Sequence, residues 1–440
     1  MKARFVLVAL VIFSIILAAC PPIEEEQYDN TIVVEGSLDR EKWDTLIADI
    51  HKKGLQVHLD LSACTVPGLG GDILKRVHEN GKDYTDDTKI NQWDDYIQFD
   101  PSLGNEFGKE LILSIIVPDV ATMIRNASGN IYDIKTMEDV DRETESYAFR
   151  HFTRLRSVSG KRISLIGTFA FYNCTTLEEA NFPNVIIVMQ YAFSNTGLRR
   201  VEFEKLRHIQ PSAFEGSKFL DRVDLHNVDI IAQRAFMDCT RLRDVSFSNV
   251  IKIEPEAFKG CTNLRTARFL ANPLRVSSSH PLDPWRADNP IPYTTNTVAF
   301  HNNVFRGCTS LEILDVRNAW NVYFGAGALA DIGTYLELHL FDDDGARSEG
   351  HPQVELLLGG KHPELDIGEL TLKELKIIAP TVLPETASQI LFADHETLDG
   401  YSSIRNRINA MYNPGPRHVE YNEPEEHVIK VTVERRPALH

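Results

Sequence analysis

Four cysteines share one offset. Cys174, Cys239, Cys261 and Cys308 each stand three residues ahead of a leucine, at Leu177, Leu242, Leu264 and Leu311. Thiols at a recurring position have two chemistries open to them. In an oxidising compartment, copies stacked about 4.8 Å apart approach disulfide or metal-binding distance; otherwise each thiol packs as a small buried side chain. Thr196 and Ser217 replace the cysteine in two further copies, which favours packing, and Cys64 is expected to be buried too. Other reactive types lack partners at useful spacing. The chain has no H-E-x-x-H, G-x-S-x-G, C-x-x-C or P-loop. Gly68-Leu69-Gly70-Gly71 lacks dinucleotide spacing and reads as a turn. Asp342-Asp343-Asp344-Gly345 and the group Asp86, Asp87, Asp94 and Asp95 do not follow the ligand order of a calcium loop, so they read as solvated acids. His280, His301 and His395 have no partners at ligand spacing, and Asn126-Ala127-Ser128 is a bare glycosylation sequon. The expectation is a chain with no catalytic residues, no metal and no cofactor.

The elements that carry these residues are repeats. Ala-Phe recurs at Ala148-Phe149, Ala170-Phe171, Ala192-Phe193, Ala213-Phe214, Ala235-Phe236 and Ala257-Phe258, in steps of 22, 22, 21, 22 and 22 residues, and Val304-Phe305 continues the series. Each copy opens on a leucine, with apolar residues at +3, +5, +8 and +11 and Ala-Phe at +15 and +16. Leu220, Val223, Leu225, Val228, Ile231, Ala235 and Phe236 follow this grammar, as do Leu242, Val245, Phe247, Val250, Ile253, Ala257 and Phe258. Alternation at +3 and +5 predicts one short strand per repeat with one face inward. A coil of this length buries its apolar side chains only by stacking on its neighbours. The repeat is therefore expected to build a solenoid with a parallel sheet along one side.

The two ends and the overall balance add constraints. Lys2 and Arg4 followed by the apolar run Phe5 to Leu17 make a signal peptide, too short to span a bilayer. It closes on Leu17-Ala18-Ala19-Cys20, which resembles a bacterial lipobox, the signal that has its cysteine acylated and made the mature N-terminus. The 63 acidic residues against 46 basic, a net charge of −17, argue against nucleic acid as a partner. Ser37 to Gly54 reads as a helix with Trp43, Leu46, Ile47 and Ile50 on one face, capped by Ser37 or Asp39 and by Gly54.

Leu242-Arg-Asp-Val-Ser-Phe, followed by Ile253-Glu-Pro-Glu-Ala-Phe-Lys-Gly-Cys261-Thr-Asn-Leu264, resembles the BspA-type leucine-rich repeats of bacterial surface proteins. The resemblance spans roughly residues 110–320. It departs where Thr196 and Ser217 replace the cysteine and where Ala180 and Ala267 replace a larger +3 residue. It implies a leucine-rich-repeat solenoid with the parallel sheet on the concave side, and adhesion to host or matrix proteins or to other bacteria.

The organisation expected is a signal peptide (1–19), an acylated Cys20 with a tether (20–36), and an N-terminal helical cap with a loop-rich insertion at 78–108 (37–110). Leucine-rich repeats follow (111–320), with insertions at about 126–146 and at the proline-rich 271–299. Degenerate rungs, an irregular C-terminal cap and a tail end the chain (321–440), with a short helix at 402–412. Side chains at +2 and +4 point outward, and the candidate binding residues are Glu179, Asn181, Arg200, Glu202, Arg222, Asp224, Asp244 and Arg268. The expected function is an adhesin-like binding protein of the bacterial envelope, lipid-anchored at the outer membrane or cell surface, with a host matrix or envelope protein as ligand. Two alternatives stay open: an accessory envelope lipoprotein partnering another membrane-associated protein, and an enzyme with its site in 62–110 or 320–440.

Overall fold

The computed structural model describes residues 30–67, 97–102, 106–124, 148–149, 151–248, 250, 252–269, 297–300, 303–316, 321–324, 327–340, 353–357, 371, 373–380, 389–393 and 430–436. Cys20, the segment 271–296 and the expected helix at 402–412 lie outside these residues. The body is poor in helix and built from parallel strands.

Each repeat supplies two strands, not the single one read from the sequence. The first sheet takes the +2 to +5 positions: Ser157–Ser159, Glu179–Asn181, Arg200–Val201, Arg222–Val223, Asp244–Phe247 and Thr266–Phe269 are successive members. It is hydrogen-bonded in runs of five, two and six strands. The second is a continuous sheet of eleven, from Gln98–Phe99 to Gln389–Ala393. Its members are short: Leu165–Ile166, Ile187–Val188, His208–Ile209, Ile230–Ile231 and Lys252–Ile253 contribute only the +10 and +11 residues. Two residues are too few for alternation to register in a sequence.

The Ala-Phe pair turns the chain between the sheets. The Phe171 N–H donates to the Ala192 carbonyl of the next rung at 2.8 Å, and Phe193, Phe214 and Phe236 repeat the bond at 2.7–2.8 Å. The rings stack in the interior: Phe171, Phe193, Phe214, Phe236 and Phe258 follow one another at centroid spacings of 5.0–5.4 Å with interplanar angles of 1–6°. Burying each ring contributes about 1.5–3 kcal/mol, and each aromatic pair a further ~0.5–1.5 kcal/mol. Alanine beside the ring leaves room for this column; all of these alanines are fully buried.

Closing the turn requires two left-handed residues per rung. Phe169, Tyr191, Ser212, Arg234 and Glu256, directly before Ala, have φ between 53 and 60°. That conformation costs a residue with a Cβ about 1–2 kcal/mol. Contacts between rungs offset it: Phe169 stacks on Tyr191 at 5.0 Å, and the Arg234 Nε donates to Glu256 at 2.6 Å. The second left-handed site holds Asn173, Asn195, Gly216, Asp238 and Gly260, the three residue types that tolerate it best. The order matters. The Asn195 amide donates to Asn173 Oδ1 at 3.0 Å and turns its own Oδ1 toward Gly216, where a Cβ would lie 2.3 Å away. Asp238 crowds Gly260 in the same way, at 2.1 Å.

The helix forms over Arg40–Lys53, with Asp39 Oδ1 accepting from the Lys42 N–H and Gly54 closing it at φ 65°. Trp43, Ile47 and Ile50 are buried, and Trp43 meets Phe99 edge-on at 6.4 Å. Two expectations need correction. The tether does not run to 36, because Thr31–Val33 pairs in parallel with Val57–Asp60 and Gly36–Ser37 with Cys64–Thr65. The insertion at 78–108 is not all loop: Gln98–Phe99 belongs to the second sheet and Phe99 is fully buried. Beyond 320, further rungs continue the first sheet in register through Tyr335–Leu340 and Glu374–Pro380, and Lys430–Arg436 pairs with the latter.

Gly260→Ala should lower stability by about 1–3 kcal/mol in urea titration, from the left-handed backbone and the Asp238 contact together. Adding Asp238→Gly should recover only part of that loss, leaving ~1 kcal/mol of backbone strain. Full recovery, or none, would contradict this account of the turn.

Candidate functional site

Strand alternation places the expected residues as the repeat grammar requires. Val201, Phe203, Val223, Leu225, Val245 and Phe247 are buried, whereas Glu179, Asn181, Arg200, Glu202, Arg222 and Asp244 are exposed between them. Asp224 and Arg268 are half-buried on the same face. Arg200 pairs in register with Arg222, and Asp244 with Thr266. A spacing of about 4.8 Å between strands sets the two arginines side by side. Like charges directly opposite one another weaken a sheet, so this pairing is a local electrostatic cost.

Several charges elsewhere pair between rungs. Arg207 contacts Asp229 at 2.6 Å, Arg234 contacts Glu256 at 2.6 Å, Arg306 contacts Asp331 at 2.9 Å, and Lys161 contacts Asp119 at 3.1 Å. On the outward face of the first sheet, Asp244 accepts from the Thr266 hydroxyl, and Asp224 accepts from the His226 N–H at 3.0 Å with the imidazole Nδ1 at 2.6 Å. Burial pushes the Asp224 carboxyl up, but the His226 hydrogen bonds outweigh it and the net shift is downward. Among the described residues, Glu179, Asn181, Arg200, Glu202, Arg222 and Arg268 have no ion pair or side-chain hydrogen bond.

Two polar groups on this face escaped the sequence reading. Tyr335, Glu337 and His339 face outward between the buried Leu336 and Leu338. Glu337 accepts from the Tyr335 hydroxyl at 2.6 Å and lies 3.3 Å from His339 Nε2 and 3.4 Å from Lys376 Nζ. The alternation Tyr-Leu-Glu-Leu-His-Leu was the available signal. Toward the other end, His58 Nδ1 lies 2.6 Å from the Ser114 hydroxyl. This resembles a nucleophile and its base, but Asp60, two residues on along the strand, accepts from the Ser62 N–H at 2.9 Å. Among the described residues no carboxylate bonds the imidazole as a hydrolytic triad requires. Among the described residues no catalytic cluster is formed, and no group of three or more His, Cys, Asp or Glu is placed to hold a metal.

The cysteine column of Cys174, Cys239, Cys261 and Cys308 is buried and unlinked, and Cys64 of the cap is likewise a buried free thiol. They do more than fill space. Cys239, Cys261 and Cys308 donate S–H to the carbonyls of Phe214, Phe236 and Phe258 on the preceding rung at 3.1–3.2 Å. Ser217 makes the same bond to Phe193 at 2.7 Å, and Thr196 bonds both Phe193 and Ser217 at 2.9 Å. The position therefore selects a small donor, which explains why Cys, Ser and Thr interchange there. Burial raises the Cys174 thiol pKa to about 12, far from nucleophilic poise.

One buried cation lies near the helix. Lys109 is wholly inaccessible, donates to the Ser102 carbonyl at 2.8 Å and sits 6.0 Å from the Phe152 ring centroid. Burial lowers its pKa to about 8, against the opposing pull of Asp100, Asp44 and Glu106.

Residues 134–277 match the family model described as the BspA type leucine-rich repeat region, in six copies. Over those residues the chain is similar to BspA-type repeats, and its body is a leucine-rich-repeat-type solenoid with parallel sheets and little helix. Among solved structures it is similar to the leucine-rich repeat protein of T. pallidum, with 17% identity over 54% of this chain and 82% of that one at a TM-score of 0.32. It is also similar to a leucine-rich cell surface protein of Faecalibacterium prausnitzii, with 18% identity over 69% and 83% at 0.31. The pneumococcal vaccine antigen PcpA gives 13% identity over 74% and 80% at 0.29. Scores this low add nothing to the fold, which rests on the register and the repeat match. No curated protein matches.

Cys261→Ser should keep the bond to Phe236 and change stability by less than about 1 kcal/mol, whereas Cys261→Val should cost about 1–3 kcal/mol by removing the donor. Equal losses would show that only volume matters. For Lys109 the folded pKa lies below the unfolded one, so the unfolded chain binds more protons between pH 8 and ~10.5 and stability rises with pH there. Lys109→Met should flatten that rise in denaturant titrations; an unchanged slope would contradict it.

Proposed function

We propose that this chain is an adhesin-like binding protein of the bacterial envelope that engages a protein ligand through the outward face of its first sheet. Cys20 serves as its lipid anchor, and the partner is a host matrix or envelope protein. An acidic repeat scaffold with no reactive cluster among its described residues favours neither nucleic acid nor a catalytic substrate. One observation carries the reading: Arg200 and Arg222 stand in register, exposed and without an ion pair among the described residues, while Arg207, Arg234 and Arg306 each pair with a carboxylate of a neighbouring rung. Such an arrangement weakens the free sheet and becomes favourable once a partner supplies opposing charge. Glu179, Asn181, Glu202, Asp224, Asp244 and Arg268 would fix the partner's register around the pair.

Replacing both Arg200 and Arg222 by Glu should weaken binding to immobilised matrix or envelope proteins at least tenfold, with circular dichroism unchanged. Full retention of binding would move the interface elsewhere on the chain. Mass spectrometry of the mature N-terminus should find Cys20 acylated, and Cys20→Ser should release the protein from membranes; an unmodified Cys20 would end the anchor proposal.

A further inference from the structure

The rim of the first sheet narrows the chemistry of the partner. In the four consecutive repeats opened by Leu198, Leu220, Leu242 and Leu264, the residue before the leucine and the two after it supply Arg199, Arg200, Arg222, Arg241, Arg243 and Arg265. The same positions hold no lysine and only two carboxylates, Asp221 and Asp244. This reverses the balance of a chain in which 63 acids outnumber 46 bases.

All six arginines are exposed. Arg199 contacts Glu178 of the preceding rung at 3.3 Å, and the Arg241 guanidinium lies 4.9 Å from the Phe219 ring centroid. Arg200, Arg222, Arg243 and Arg265 have no ion pair among the described residues. Phe219 itself is 46% exposed, and it stands on this rim.

Three physical points select among anionic partners. A guanidinium fork grips a carboxylate through two hydrogen bonds, and a set made only of arginine favours that geometry over diffuse attraction. An exposed aromatic stacked on arginine offers an anchor for an apolar side chain, the usual composition of a protein hot spot. Asp221 and Asp244 on the rim, with Glu202 and Asp224 on the adjoining face, would repel a uniform polyanion such as a sulfated glycan. Four rungs span about 15 Å, the length of four or five extended residues. We infer that this rim receives an extended acidic protein segment carrying an apolar side chain that lies against Phe219. The inference rests on the protein-binding reading above and specifies its partner.

The test uses the full chain and three probes read by fluorescence anisotropy. They are a ten-residue peptide of alternating Asp and Ser with one central Leu, its Asn-for-Asp counterpart, and a heparin-derived octasaccharide. The Asp peptide should bind, the Asn peptide at least tenfold more weakly, and rising salt should weaken the Asp peptide. The double variant Arg243→Glu, Arg265→Glu, which leaves Arg200 and Arg222 in place, should lose at least tenfold. Arg243→Gln with Arg265→Gln should lose less, and both variants should keep the wild-type melting point. Phe219→Ala should remove the preference for a peptide with Leu over one without. Tighter binding of the octasaccharide, absent binding of the Asp peptide, or affinity indifferent to Arg243 and Arg265 would overturn the inference. If matrix-protein binding depends on Arg200 and Arg222 while the rim variant changes nothing, the proposed function stands and only the rim assignment fails.

Discussion

A rung of 22 residues cannot satisfy its own backbone at the turn between its two sheets. The amides of Phe171, Phe193, Phe214 and Phe236 donate to the alanine carbonyl of the next rung at 2.7–2.8 Å, and Phe258 donates to the Val304 carbonyl in the same way at 3.0 Å. That single bond forces rungs into stacked register, and most of the other features serve it. Left-handed residues on either side of Ala-Phe bring the donor to its acceptor, and the phenylalanine column fills the space inside the bend. The small donor at the cysteine position supplies one more link, tying the phenylalanine carbonyl to the following rung. Stability is therefore collective. Each rung's cost in backbone strain is offset only when its neighbours are present.

How far the sequence reveals this depends on side-chain periodicity. The first sheet was readable because +3 and +5 alternate against exposed +2 and +4 positions over several residues. The second sheet was not, since Ile187–Val188 or Ile230–Ile231 offers two apolar residues and no alternation. The helix over Arg40–Lys53 was legible from its face and its caps. Thr31–Val33 was hidden because an edge strand of three residues looks like any short apolar run beside an acidic linker. The cysteine column was read as packing from the Ser and Thr that replace it. Its bonding role needed the position of a backbone carbonyl, which no sequence pattern carries.

The outward face of the first sheet divides along the same line. Alternation fixed which residues point outward, so Arg200, Glu202, Arg222 and Asp224 were identifiable from spacing alone. Whether their charges were neutralised by neighbours was not, because ion pairing depends on rotamers and on the rung-to-rung register. Arg207 with Asp229 and Arg234 with Glu256 are matched across one rung, yet Arg200 and Arg222 meet each other instead. Exposed ion pairs contribute little to stability, roughly 0–1 kcal/mol each. Their absence at Arg200 and Arg222 is thus cheap for the fold and leaves these two guanidiniums open to charge contacts with something else.

Arginine-selective modification with phenylglyoxal, read residue by residue by mass spectrometry, tests that division most directly. Bound matrix or envelope protein should protect Arg200 and Arg222 while leaving the reactivity of Arg207 and Arg234 unchanged. Protection of Arg207 and Arg234 with Arg200 and Arg222 still reactive would contradict the assignment of the first sheet's outward face as the site of binding.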